Sequence, residues 1–186
     1  MREITTGGIR NRVFAALMTA LIIVGAYIAV PVPGSPVPVV LQNLFVILAG
    51  LLLGWKWGFV SVFLYLLLGA VGLPVFSAAR GGIAHLLGPT GGYLIGFLPA
   101  VMISGAISEQ RQSVGVLLLA AACGTVAVYL LGIPWLMASA SLSLPAALGA
   151  GLLPFLAADV AKVIVATAVA RAVDATELLL PREDAA

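Results

Sequence analysis

Asp159 and Lys162 are the residues whose types and spacing best suit them to chemistry inside this mostly apolar chain. Both lie in a stretch apolar enough to cross a membrane, where burying a charged side chain costs at least ~2.5 kcal/mol. A spacing of three places both on one helix face, so they can neutralise each other and still offer an acceptor and a donor to a ligand. Apolar residues often replace a buried ion pair without loss of stability. We therefore favour a polar ligand site over a salt bridge that only fixes helix packing.

Four further polar residues are candidates for the same site. Gln42 and Asn43 open an apolar segment, where an amide can pair with a ligand or cap the helix. Arg80 and His85 lie in a predicted loop, where they could meet an anionic group or simply be solvated.

The run Gly88–Tyr93 superficially resembles a phosphate-binding loop, but it lacks the lysine and the preceding strand that such a loop requires. It predicts instead a tight turn that feeds a helix, with Gly91 and Gly92 allowing close approach by a neighbouring helix or a flat ligand. Tyr93 and Trp135 could form stacking walls for that ligand, or could be membrane-interface anchors.

Composition predicts that a membrane bundle positions these residues. Of 186 residues, 62% are hydrophobic and 9% are charged, and the apolar character is sustained along the chain. A bilayer core of about 30 Å needs about 20 helical residues, and continuous rather than alternating apolar runs indicate helices instead of a barrel. The predicted fold class is an all-α, polytopic integral membrane bundle that forms a single domain over 1–186. Its six transmembrane helices are expected at Val13–Val30, Leu41–Gly54, Gly58–Leu73, Gly91–Ser108, Val114–Gly132 and Pro154–Val173. Between the second and third spans, Trp55, Lys56 and Trp57 have the aromatic and cationic character of a membrane interface and predict a tight turn.

The basic residues predict that both termini are cytoplasmic, an N-in/C-in topology. With six spans, only Arg80 falls outside and Lys162 lies within a span, in agreement with the positive-inside rule. The remaining Lys and Arg residues, all expected inside, are Arg2, Arg10, Arg12, Lys56, Arg111, Arg171 and Arg182.

The outer loops are predicted to be long and rich in Pro and Gly, which places the specialised surface outside. The first, Pro31–Pro38, should be an extended and stiff strap, because each proline fixes φ and lacks an N–H. The second covers Pro74–Thr90. The third, Ile133–Leu153, carries Trp135 and has room for a short helix at the membrane interface.

Several classes of function are disfavoured. A net charge of +2 without a basic cluster argues against nucleic-acid binding. The single cysteine, Cys123, is interpreted as a packed small hydrophobe. The predicted spans contain no His, no metal-spaced ligand set and no catalytic constellation, so we expect no enzyme activity, no metal and no cofactor. No Walker-type loop is present, so any ATP hydrolysis must come from another subunit.

Ala16 and Ala20 form a small-xxx-small face on the first span, with Ala15 and Thr19 beside it. Such faces permit close helix contact. The contact could lie within this chain's own bundle or with a partner.

Taken together, these motifs resemble the BioY family, the biotin-specific substrate-binding components of energy-coupling-factor (ECF) transporters. The resemblance covers nearly the whole chain and depends on the order and spacing of its motifs. These are Pro36–Pro38 with Leu41 and Gln42, Gly72–Phe76 with Gly81 and Gly82, Gly88–Leu94 with Gly96 and Phe97, and Pro154 and Phe155 with Asp159 and Lys162. The stretch Phe76–Arg80 is less Gly-rich than the family pattern, which leaves the loop shape and the role of Arg80 open.

The resemblance implies a biotin pocket near the outer face, covered by outer loops. Asp159 would accept from a ureido N–H of biotin and Lys162 would donate to its carbonyl or to the carboxylate, with Arg80 as the alternative carboxylate partner. The other residues that we assign to substrate binding are Gln42, Asn43, Phe76, Gly91, Gly92, Tyr93 and Trp135.

The resemblance also implies a multi-pass protein of the cell (cytoplasmic or inner) membrane that takes up biotin with high affinity. Its partners would be a transmembrane coupling subunit, which contacts Ala16 and Ala20, and two cytoplasmic ATPases, or a second copy of itself if it works alone. A binding component for another vitamin and a purely structural or assembly subunit remain as alternatives.

Overall fold

The computed structural model describes residues 6–110 and 113–175. Within these ranges, five apolar helical stretches are long enough to cross a membrane. The elements in chain order are α1 (Thr6–Tyr27), β1 (Ala29–Val30), β2 (Val39–Val40), α2 (Gln42–Ala70), α3 (Ile83–Leu86), α4 (Gly91–Ser108), α5 (Val114–Ala140), α6 (Leu144–Gly151) and α7 (Leu156–Ala175). The helical membrane bundle predicted from the sequence is confirmed.

The 29-residue helix α2 is broken at Gly54, which provides the sixth crossing. Gly54 has φ 74° and ψ −178°, a conformation that L side chains rarely adopt. A methyl group built on Gly58 would lie 3.2 Å from the carbonyl oxygen of Ala49, although nine residues of straight helix span about 13.5 Å. The chain therefore reverses at Gly54, one residue before the interfacial turn predicted at Trp55–Trp57. Residues 42–53 and 55–70 run antiparallel, as two short spans.

An even number of crossings puts the two described ends of the chain on one side. Arg10, Arg12, Lys56 and Arg171 lie near those ends or at the Gly54 turn. The assignment of that side to the cytoplasm stays a prediction. Arg2, Arg111 and Arg182 lie outside the described residues.

The helix boundaries agree best where the sequence has strong end signals. Helix α4 has the predicted bounds, Gly91–Ser108. Helix α1 begins at Thr6 and ends at Tyr27, so the predicted span Val13–Val30 was too long at its C-terminal end. Its first turns are too polar for a hydrocarbon core, and Ala29 and Val30 belong to a strand. The last span begins at Leu156, after a 3₁₀ turn at Leu153–Phe155, and extends to Ala175.

The first outer loop is a hairpin rather than a simple extended strap. Ala29 pairs with Val40 and Val30 with Val39 in an antiparallel ladder. The prolines lie between the two short strands, where they remove no ladder hydrogen bond. We call residues 29–40 the strap.

The third outer loop was predicted too long. Helix α5 continues through Pro134 to Ala140, and α6 supplies the short helix expected there. Pro134 removes one backbone hydrogen bond, a loss that membrane helices tolerate when neighbouring groups compensate. Trp135 therefore lies on α5 and not in a loop. Its Nε1 donates to the carbonyl of Gly88 at 2.9 Å and ties α5 to the turn before α4.

Candidate functional site

An open cavity with about 450 Å³ of empty space, including solvent at its mouth, lies below the strap between α2, α4, α5 and α7. Its walls combine residues that are distant in sequence: Val37, Pro38, Val40, Asn43, Tyr93, Phe97, Thr125, Val128, Tyr129, Gly151, Phe155, Asp159 and Lys162.

The polar part of this wall is centred on the carboxylate of Asp159, whose residue is 5% exposed. Oδ1 accepts from Asn43 Nδ2 and from Lys162 Nζ, each at 2.9 Å, and Oδ2 accepts from the hydroxyl of Tyr129. Asp159 also lies in the first turn of α7, where the helix dipole favours a negative charge. Three donors and one helix end therefore offset the cost of burying the carboxylate.

The same contacts determine which polar atoms are available to a ligand. A carboxylate only accepts hydrogen bonds, so the Asn43 amide must turn its NH₂ towards Asp159 and its oxygen away. Asn43 Oδ1 is buried and has no hydrogen-bond partner in the described structure. The Lys162 ammonium carries three N–H donors, and one of them binds Asp159. The cluster thus presents an acceptor and donors close together, which suits a planar group that both donates and accepts.

The rest of the wall is apolar or aromatic. Phe97, Val128 and Phe155 line it from three different elements, and Val37 and Pro38 cover it from the strap. Tyr93 and Tyr129 meet edge to face with ring centroids 6.1 Å apart. A ligand with a small polar head and an apolar body matches this division.

Four of the residues assigned to substrate binding lie on the cavity wall. They are Asn43, Tyr93, Asp159 and Lys162. Gln42 is buried next to Asn43 in sequence, but its side chain is not on the wall, and its Nε2 has no hydrogen-bond partner among the described residues.

The other five assigned residues lie elsewhere in the outer region. Phe76 is fully buried in contact with the rings of Tyr65 and His85, at centroid distances of 5.5 and 5.3 Å. Gly91 and Gly92 pack against Trp135. Arg80 is exposed, and its backbone pairs with that of Phe76. The structure does not bring these side chains to the cavity, and a role for them in binding stays a prediction.

His85 is a half-buried residue of this outer loop. Its Nε2 lies 3.5 Å from Thr90 Oγ1, and its ring stacks on Phe76. Burial, and secondarily the charge of Arg80, lower the pKa of His85 below its usual value near 6.5.

Sequence reasoning missed Tyr129, which lies in a continuous apolar run. A buried tyrosine hydroxyl generally needs a hydrogen-bond partner, and that requirement could have pointed to Asp159. Phe97 and Phe155 belong to the motifs that carry the family resemblance but were not assigned to binding. Thr125, Val128 and Gly151 carried no signal that separated them from ordinary packing residues.

The alanine face of α1 points away from the chain's own bundle. Ala16 and Ala20 are exposed, whereas Ala15 and Thr19 are buried. Thr19 Oγ1 donates to the carbonyl of Ser61 at 2.9 Å across the α1–α2 contact. The alternative that Ala16 and Ala20 pack within this chain is therefore wrong.

Comparison with known proteins gives a consistent result. The family model described as "BioY family" matches residues 1–177. The chain is 39% identical over 161 residues to the biotin transporter BioY of Thermotoga maritima, a match covering 87% of this chain and 94% of that protein. It is 44% identical over 155 residues to a probable biotin transporter BioY of Pyrococcus horikoshii, covering 83% and 90%.

A solved structure is similar over the same extent. The crystal structure at 2.1 Å of the S-component for biotin from an ECF-type ABC transporter superposes with a TM-score of 0.86 and 31% sequence identity. The match covers 92% of this chain and 94% of that chain.

Proposed function

This chain belongs to the BioY family, and we propose that it takes up biotin, as the membrane subunit that captures the vitamin from the outside for an ECF transporter. The observation that carries this proposal is the cluster of Asn43, Tyr129 and Lys162 around Asp159 in the wall of an otherwise apolar cavity. Relatives named as biotin transporters support the same ligand.

The chemistry of biotin suits this cluster. Its planar ureido group has two N–H donors and one carbonyl acceptor. Asn43 Oδ1, which has no partner in the described structure, would accept one N–H, and Lys162 would donate to the carbonyl. Asp159 would orient both side chains and could accept the second N–H, since each carboxylate oxygen accepts more than one hydrogen bond.

The apolar wall would hold the fused rings and the aliphatic chain. Burial of apolar surface contributes about 25 cal/mol per Å² and is non-directional, so specificity would come mainly from the ureido contacts. A ligand without a group that both donates and accepts would leave Asn43 and Lys162 unpaired, and an unpaired buried polar group costs about 1–3 kcal/mol.

Transport would require partners, because this chain supplies no recognised ATP-binding loop. Ala16 and Ala20 form an exposed face of small residues, which suits close contact with a helix of a coupling subunit. Two cytoplasmic ATPases would supply the energy, and a chain that works alone would use the same face for self-association. We place the protein in the cell membrane and propose no catalytic reaction and no cofactor.

The transport cycle would begin with biotin entering from the outer side and the strap closing over it. The bundle would then reorient against its coupling subunit to release biotin inward. The described spans carry no line of ionisable groups across the membrane beyond the Asp159–Lys162 pair, and this supports reorientation over an ion-coupled pathway.

The test is uptake of radiolabelled biotin by cells that lack their own biotin transporter and express this chain, alone or with an ECF module. We expect saturable uptake that excess unlabelled biotin abolishes and that riboflavin or thiamine does not affect. Suppression by another vitamin would instead assign the chain to that vitamin. A well-folded protein that neither binds nor transports any of them would leave a structural role.

A further inference from the structure

The strap, the cavity wall and the end of α6 are joined by a continuous set of contacts. We propose that the carboxyl end of α6 couples binding in the cavity to closure of the strap, with Ser35 and Tyr93 as the positioning residues. This inference rests on the biotin-binding function proposed above and adds to it a route by which the ligand controls its own cover.

On the strap side, Ser35 makes the connection. Its Oγ donates to the carbonyl of Ala150 at 2.6 Å and accepts from the N–H of Val37 at 3.0 Å. Val37 lines the cavity. The hydroxyl therefore links α6 directly to a residue that covers the ligand space. Of the two carbonyls within reach of its single proton, that of Ala150 is closer than that of Val37, at 2.6 against 3.1 Å.

On the cavity side, Tyr93 makes the connection. Its hydroxyl donates to the carbonyl of Gly151 at 2.9 Å, in a buried position. A methyl group built on Gly151 would lie 2.2 Å from the Tyr93 oxygen, so the α6 backbone and this hydroxyl are in close contact. The Tyr93 ring itself forms part of the cavity wall.

The carbonyls of Ala150 and Gly151 can accept these bonds because α6 ends at Gly151. The last four carbonyls of a helix lack intrahelical partners, and Ala150 and Gly151 are consecutive members of that set. The cavity wall and the strap thus hold adjacent peptide groups of one short helix. A shift of the Tyr93 ring on ligand binding would move Gly151, and with it the Ala150 carbonyl that secures the strap.

The first experiment measures the rates at which labelled biotin binds to and leaves the purified full-length protein. Ser35→Ala removes the contact that holds the strap, so we expect both rates to rise about fivefold, the change that corresponds to a hydrogen bond worth ~1 kcal/mol. Tyr93→Phe should raise both rates similarly. Because the two hydroxyls act through one element, their effects should not be independent. The double variant should raise each rate by more than either single variant does, but by less than the product of the two single increases.

Two matched variants control for unrelated losses. Ser143→Ala removes a serine hydroxyl at the other end of α6, where no side-chain capping bond forms. Tyr27→Phe removes a tyrosine hydroxyl that donates to Pro74 and has no bond to α6. Both should leave the two rates within twofold of wild type. Unchanged rates in Ser35→Ala and Tyr93→Phe, or effects that multiply independently, would overturn the coupling.

A second experiment tests the coupling without ligand. Spin labels at Pro33→Cys on the strap and Ala146→Cys on α6, in a Cys123→Ala background, report the distance between the two elements. Tyr93→Phe should broaden this distance distribution although Tyr93 forms no hydrogen bond to the strap, whereas Tyr27→Phe should not. An unchanged distribution in Tyr93→Phe would contradict the proposal. If the wild type does not bind biotin but Tyr93→Phe still broadens the distance distribution, the coupling stands and only the biotin function is contradicted.

Discussion

The side-chain amide of Asn43 and the carboxylate of Asp159 are 2.9 Å apart although 116 positions separate them in sequence. This contact joins the outer end of α2 to the first turn of α7 directly beneath the strap. It brings two separate sequence signals, an amide at a helix start and a charge in a span, into one polar site.

Asn43→Ala should weaken biotin binding about 10- to 100-fold, because it removes the unpartnered amide oxygen and one donor to a buried carboxylate. Hydrogen bonds to charged groups contribute ~1.5–3 kcal/mol. Equilibrium binding of labelled biotin measures the change. Gln110→Ala removes an exposed amide far from the cavity and should have no effect. Unchanged affinity in Asn43→Ala would exclude a direct contact of this side chain with the ligand.

Replacing Asp159 and Lys162 together separates a binding role from a structural one. Either single replacement leaves a buried partner uncompensated, which commonly costs about 3–5 kcal/mol, whereas replacement of both by uncharged residues is often close to neutral. The double variant Asp159→Asn with Lys162→Met should therefore unfold at a higher temperature than either single variant while its biotin binding stays lost. Thermal unfolding and a binding assay on the same preparations test this. Full biotin binding by the double variant would assign the pair to helix packing.

Ala16→Leu with Ala20→Leu should leave biotin binding unchanged and prevent stable assembly with a coupling subunit, because both alanines are exposed and larger side chains block close helix contact. Co-purification with an ECF module measures assembly. The control is Ala157→Leu with Ala161→Leu, which has the same spacing on an exposed face of α7. Equal assembly in both double variants would place the coupling surface elsewhere.

His85 should make the stability of the outer loop depend on pH. Its folded-state pKa is lowered by burial and by Arg80, so the stabilisation is fully present above the unfolded pKa near 6.5 and is lost as the pH falls from there towards the folded pKa. We expect the apparent unfolding temperature to decrease between pH 7.5 and 5.5. Since His85 is the single histidine of the chain, His85→Gln should flatten this decrease. An identical pH profile in His85→Gln would show that other groups cause it.

The parts of the fold that were predicted correctly are those that depend on local chemistry. Gly91 after a Gly-Pro-Thr turn marks the start of α4, and the polar residues from Glu109 mark its end, so both bounds could be read. The reversal at Gly54 was recognised from the Trp-Lys-Trp sequence next to it. Pairing of charges within one helix turn placed Asp159 beside Lys162, a contact that the structure contains.

The parts that were missed depend on contacts distant in sequence. The strap forms a hairpin because its two short strands meet across the eight residues 31–38, four of them prolines, which by themselves indicate only an extended chain. Helix α5 continues past Pro134 because neighbouring elements hold its outer end, which no local rule for proline predicts. In the sequence Tyr129 resembles an ordinary packing residue, because its hydrogen bond to Asp159 forms only when α7 packs against α5. Which residues line the cavity depends on how several helices pack together.

Calorimetric titration of the purified wild-type protein with biotin, beside Asp159→Asn and the surface control Asp174→Asn, measures directly whether biotin binds at Asp159. Asp174 pairs with Arg171 on an exposed face of α7 at 3.1 Å, so it matches the chemistry of Asp159 without the cavity. We predict saturable binding with one site per chain in the wild type and in Asp174→Asn, and affinity lowered by at least about 100-fold in Asp159→Asn. Equal affinity in all three proteins would contradict a biotin site built around Asp159, and a folded wild type that does not bind biotin would contradict the assignment of this ligand.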